Sequence, residues 1–103
     1  MTTQFDVFPN PSRRGRNERP FVVVLQIDWI EMDSRVCAPL VAAQFIHPEP
    51  RLTPQFRIEG QFVHLHPAEL LTVPTRLLRH AVFNLSAERD RIIAALDLVF
   101  VGI

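Results

Sequence analysis

Lysine is absent, cysteine occurs once, and only three of the 103 residues are glycine. Each shortage closes off a class of protein. A lone Cys37 cannot form an internal disulfide, so the chain is expected in a reducing compartment, the cytoplasm. With three glycines there is little from which to build a phosphate-cradling loop, and no Gly-rich phosphate motif is present. No Ser or Cys stands in a recognisable nucleophile context. Long apolar runs are missing too, which speaks against a transmembrane helix. The N-terminal residues lack the basic head and apolar stretch of a signal peptide. Arginine supplies all of the positive charge, and it suits planar, bidentate contacts better than lysine. The base composition of the coding DNA explains a lysine-free chain equally well. Eleven basic residues balance eleven acidic ones, so no net field steers the chain toward nucleic acid or an anionic membrane.

Hydrophobic residues make up 48% of the chain and the mean hydropathy is +0.11, which excludes disorder as the main state. Residues 1–103 are read as one domain. A chain of this size buries somewhat under about 70% of its unfolded surface, enough for a core without staples. The slightly apolar balance suggests that a second subunit covers part of the surface.

Along the chain, Thr3 to Phe8 alternates as a half-buried strand does, with Asp6 between Phe5 and Val7. Pro9 through Pro20 carries four arginines without apolar periodicity and is expected as a long, exposed, basic loop. Phe21 to Ile27 is the strongest strand, β-branched and continuous, and is expected to be covered on both faces. Val36 to Ala43 is a second apolar strand, whose Pro39 belongs at an edge or bulge because it cannot donate to a ladder. Gln55–Ile58 and Gln61–His66 read as a hairpin across Glu59-Gly60, and a short strand around Thr72 to Leu78 is interrupted by Pro74. The last element is the only good helix. Ser86 is its expected N-cap, and Ile92, Ile93, Leu96, Val99 and Phe100 make one apolar face. The fold class is therefore mostly β with a C-terminal α-helix: five or six antiparallel strands in a small sheet or partly open barrel, then the helix.

Catalytic candidates are thin. His64 and His66 share a strand face, but no Cys accompanies them and Glu69 lies beyond a proline, so surface or hydrogen-bonded histidines are expected and no metal site. His47 and His80 stand alone. Cys37, in an apolar strand, is expected as a small buried hydrophobe. Asp28, Glu31 and Asp33 cluster as paired carboxylates can in acid–base catalysis, yet a solvated turn accounts for them. Arg13, Arg14, Arg16 and Arg19 lack the interleaved aromatics of a nucleic-acid surface. Trp29, the only tryptophan, is either core or a partly exposed anchor of the kind that carries interface energy. No cofactor is implied, and a binding protein is favoured over an enzyme. The run from Leu96 to Ile103 is apolar to its last residue, where a terminus would ordinarily fray into water. It is expected either clamped into the core or offered to a partner.

Several of these segments, in order and over nearly the full length, resemble the CcdB family, toxins of toxin–antitoxin pairs that poison bacterial DNA gyrase. They are Gln4-Phe5-Asp6-Val7-Phe8, then Arg19-Pro20-Phe21-Val22 with Gln26 and Asp28, Arg35 with Pro39-Leu40, Val73-Pro74, and Asp90-Ile92. Leu96, Leu98, Phe100 and a closing Gly102-Ile103 complete the set. The resemblance implies an SH3-like barrel with a C-terminal helix, a homodimer, and helix ends inserted in the gyrase A subunit to trap its cleaved-DNA complex. A cognate antitoxin with a disordered tail would release the target. Carried over by position, the gyrase contacts would be Trp29, Ile30, Asp97, Phe100, Val101, Gly102 and Ile103. Neither direct nucleic-acid contact nor a membrane is implied. Val101 stands where a familiar member of the family has Trp, and Trp29 where the family is aliphatic, so Trp29 would replace part of the lost aromatic surface. The alternatives are an mRNA-cleaving toxin of related barrel fold and an inactive homologue that binds antitoxin as a co-repressor.

Overall fold

In the computed structural model, which describes residues 2–28 and 32–102, seven strands form one antiparallel sheet and a single α-helix follows. The strands are β1 (Asp6–Pro9), β2 (Phe21–Val24), β3 (Ser34–Ala42), β4 (Gln55–Ile58), β5 (Gln61–Leu65), β6 (Leu71–Pro74) and β7 (Phe83–Asn84), and the helix is α1 (Arg89–Val101). Their order is β4-β5-β3-β2-β1-β7, with β6 paired to β3. The long β3 is the trunk. β2 lies along one side of it, while β6 and β5 take successive halves of the other, at Ser34–Cys37 and Leu40–Ala42.

Curling of the sheet brings opposite ends into one core. Phe56 and Ile58 of β4 meet Phe5, Val7, Leu85 and the helix residues Ile92 and Ala95 in a single buried cluster. The nearly closed antiparallel barrel with a C-terminal helix matches the fold class read from the sequence. β2 is covered on both faces, as its continuous apolar run requires. Phe21 and Val23 point to the helix side, and Val22 and Val24 to a second cluster with Phe8, Cys37, Val73 and Leu78.

Several boundaries differ from the sequence reading. The first strand starts at Asp6, since Phe5 takes a φ of 68° and turns the chain. Its side chain is buried, and its N–H donates to Val24 O at 2.7 Å. β2 stops at Val24 because the Gln26 side chain, Oε1, accepts the Val36 N–H at 3.2 Å in place of a main-chain partner. Pro39 is in the trunk strand, not at the sheet's edge, but its missing donor faces the gap between β6 and β5. There its carbonyl accepts the His66 N–H at 3.1 Å. Ser86 does not cap the helix. It opens a 3-10 turn over Ser86–Glu88, and its own N–H is taken by Asn84 Oδ1 at 2.8 Å. The hairpin turn is as expected: Glu59 and Gly60 both have positive φ, 50° and 78°, the type I′ requirement that glycine meets without strain.

Candidate functional site

The helix anchors on one stripe and then leaves the core. Ile92 and Ala95 are fully buried, and Ile93 and Leu96 pack against the same cluster. One turn later the burial ends: Phe100 and Val101 are each 64% exposed. Phe100 therefore does not belong to the buried face where its spacing placed it, because the helix has run past the edge of the sheet that would cover it. The apolar ending is thus divided: Leu96 packs on the core, and the last turn carries Phe100 and Val101 into solvent.

Gly102 fixes how the tip ends. At φ 75° and ψ 19° it adopts the left-handed conformation, and its N–H donates to Asp97 O at 3.0 Å and Leu98 O at 3.2 Å. This is the glycine-terminated C-cap, which satisfies carbonyls that would otherwise be orphaned. Asp97, Phe100, Val101 and Gly102, all read as contact residues, are thus brought together in the last turn of α1, and all four are exposed. Trp29, Ile30 and Ile103 lie outside the described residues, as does Glu31 of the acidic cluster.

Beside the tip, a hollow of about 400 Å³ runs between α1 and the turn before β4, lined by Pro50, Arg51, Pro54, Arg91, Ala94 and Leu98. Arg91 closes one side. It donates to Gln55 O at 2.9 Å, pairs with Glu88 Oε1 at 2.7 Å, and stacks 4.8 Å over the Phe56 ring. Leu98, which is not on the apolar face read from the sequence, lines this hollow instead.

The segment leading to residue 29 is braced from within. Arg35 is 7% exposed. Its guanidinium donates to Thr2 O at 3.2 Å and Gln26 O at 3.3 Å, and lies 3.6 Å from Asp28 Oδ1. Asp28 in turn accepts the Gln4 N–H. A charge so buried survives only with such partners. Arg35 is a residue that sequence reasoning noted for its resemblance without assigning it a job. The signal was its place at the start of an otherwise apolar strand.

Elsewhere the chemistry is structural. Burial pushes the Cys37 thiol up to about 12, which removes its nucleophilic form at neutral pH. His64 is buried, with Nδ1 2.8 Å from Thr53 O and Nε2 3.4 Å from Gln55 Nε2. His66 Nε2 stands 3.8 Å from Glu69 Oε2. No grouping of three or more potential metal ligands occurs among the described residues. Arg19 is not part of a free basic patch: its Nε and Nη2 grip Glu69 at 2.8 and 2.7 Å, and it also pairs with Glu18. Arg13, Arg14 and Arg16 remain exposed. No helix among the described residues is long and apolar enough to cross a membrane.

A sequence-family model described as CcdB protein matches residues 4–102. No protein of curated function matches the chain.

Proposed function

The chain belongs to the CcdB family of toxin–antitoxin toxins, and from that membership we propose that it is a cytoplasmic, non-enzymatic inhibitor that binds the gyrase A subunit and traps the cleaved-DNA complex. It acts as a homodimer, whose twofold symmetry presents the insert twice. Two linked contacts raise the effective affinity beyond either one alone. Trp29, Ile30, Asp97, Phe100, Val101, Gly102 and Ile103 make the contact. A cognate antitoxin with a disordered tail covers an overlapping surface and releases the target.

One observation carries this reading: Phe100 and Val101 stand 64% exposed on the capped end of α1. Burying an aromatic ring such as Phe100 in a partner yields about 1.5–3 kcal/mol, and leaving it in water gains the monomer nothing. Two candidates for chemistry are engaged within the fold: Cys37 is buried, and His64 Nδ1 lies 2.8 Å from Thr53 O. The test is induction in a sensitive bacterium, with the full chain and with Val101, Gly102 and Ile103 deleted. Growth arrest that needs those residues and is relieved by gyrase A mutations supports the proposal. RNA cleavage by the purified protein without gyrase would replace it with the ribonuclease reading.

A further inference from the structure

Strand β4 ends the sheet's strand order, so one of its sides meets no further strand. The hairpin decides which main-chain groups it leaves there. The Leu65 N–H donates to Pro54 O at 3.0 Å, so Pro54, Phe56 and Ile58 turn their main-chain groups toward β5. Alternation along an antiparallel ladder sends those of Gln55 and Arg57 outward. One outward acceptor is taken: Gln55 O receives Arg91 Nη2 of α1 at 2.9 Å. Among the described residues no other hydrogen bond runs from the helix to the sheet.

Both ends of this strut are held. The turn before β4 is closed by Thr53, whose N–H and hydroxyl donate to Glu49 O at 2.7 and 3.0 Å. The Glu49 carboxylate accepts the Arg51 and Leu52 N–H groups, each at 3.1 Å. At the other end the Arg91 guanidinium meets Gln55 O, Glu88 Oε1 at 2.7 Å and the Phe56 ring at 4.8 Å. The Glu88 pair is 48% and 39% exposed and contributes little stability by itself. Its effect is to orient a planar fork, so that Nη2 points at the carbonyl.

Past Arg91, this flank of the helix loses that support. Ala94 and Leu98 face the hollow of about 400 Å³, while Ile92 and Ala95 anchor the neighbouring stripe. Val101 lies ten residues beyond Arg91, about 15 Å at the helical rise. A tilt of about 10°, inside the ordinary scatter of helix packing angles, would move the tip by roughly 3 Å.

We infer that Arg91 is a positioning residue for target binding: its bond to Gln55 O sets the angle at which α1 carries Phe100 and Val101 out of the barrel. The inference rests on the proposed function for its target, the gyrase A subunit. Arg91 acts through the helix axis, one and a half turns and more before the tip.

Two readouts on the parent, Arg91→Ala and Arg91→Lys test it, both taken well below each protein's thermal transition so that only folded chain is measured. Residual dipolar couplings of the ¹⁵N-labelled proteins give the direction of α1 relative to the sheet. Titration of purified gyrase A gives the affinity. In Arg91→Ala the helix should turn by on the order of 10°, and affinity should fall about tenfold, mostly through faster dissociation. Arg91→Lys keeps the charge without the planar fork and should lie between. Glu88→Ala leaves the carbonyl bond in place and should change both readouts less than Arg91→Ala does. An unturned helix in Arg91→Ala, or a turned helix with parental affinity, would overturn the assignment. A parent that does not bind gyrase A sinks the proposed function and this role with it, whereas a parent that binds beside an Arg91→Ala protein that binds equally well sinks this role alone.

Discussion

Asn84 donates from Nδ2 to Asp6 Oδ1 at 2.9 Å, and one bond further on its Oδ1 receives the Ser86 N–H at 2.8 Å. A single amide therefore ties the first strand to the turn from which the helix starts. Asp6 is itself buried and also accepts the Thr3 N–H, at 2.9 Å. Because β7 has only two residues and β1 four, the ladder alone holds that corner weakly. The expected cost of Asn84→Ala is about 1–2 kcal/mol, the loss of a bond to a charged group and of an end-of-helix acceptor. Asn84→Asp should cost more, with two carboxylates facing at hydrogen-bond distance. Urea denaturation of the three proteins measures both.

A second prediction concerns acid. The Arg19 guanidinium, bonded to Glu69 and seconded by the nearby His66, holds the Glu69 carboxyl below its usual range, against the opposing effect of burial. A lowered carboxylate value means stability that is fully present above the unfolded-state value and lost as pH falls through the folded-state value. Both side chains are about a third exposed, 31% and 39%, so solvent screening keeps the contribution to about 1 kcal/mol or less. Glu69→Gln should lower the thermal midpoint slightly at neutral pH. The difference from the parent should vanish below the carboxylate range. Thermal melts across an acid series decide it.

Cys37 should be chemically silent while the protein is folded. Its side chain has no exposed surface, and burial raises the thiol to about 12. Iodoacetamide at neutral pH should modify the native chain only at the rate of global unfolding, and fast once urea passes the transition. Cys37→Ser should cost roughly 1–3 kcal/mol: Arg35 O, 3.6 Å from Sγ, can accept the hydroxyl hydrogen, but the hydroxyl's own acceptor positions face an apolar cluster. Cys37→Ala should be milder.

Much of this architecture is legible in the residues. The β2 run, the Glu59-Gly60 hairpin and the final helix rest on local patterns, periodicity and turn chemistry, that no distant contact overrides. What is illegible rests on side chains that replace main-chain partners. Gln26 ends β2 by taking an amide, Asn84 displaces Ser86 as the acceptor at the helix entry, and Phe5 accepts a left-handed φ in return for a place in the core. None of these has a sequence period. The same holds at the candidate site. The apolar helix end announces itself, but Phe100 and Val99 look like a continuation of the buried stripe until the edge of the sheet is known. Likewise, Arg19 looks free until Glu69, fifty residues on, is folded beside it.

The last prediction separates stability from binding at that helix end. Phe100 is exposed, so Phe100→Ala should leave the thermal midpoint within the small range typical of surface changes, about 0.5 kcal/mol, while abolishing growth arrest. Val101 is equally exposed, and an aromatic ring there would meet no clash within the subunit. Val101→Trp should then strengthen gyrase A binding by about 1 kcal/mol or more, roughly fivefold to tenfold, through added apolar area and stacking on guanidinium groups of the target. Trp29→Ala should act in the opposite direction, and most severely in the parent, where Val101 offers no ring of its own. Titration of purified gyrase A with the parent, each single variant and the Trp29→Ala, Val101→Trp pair measures this. Independent sites would give additive changes, whereas a ring at 101 that makes Trp29 dispensable would show that the two positions share one binding surface.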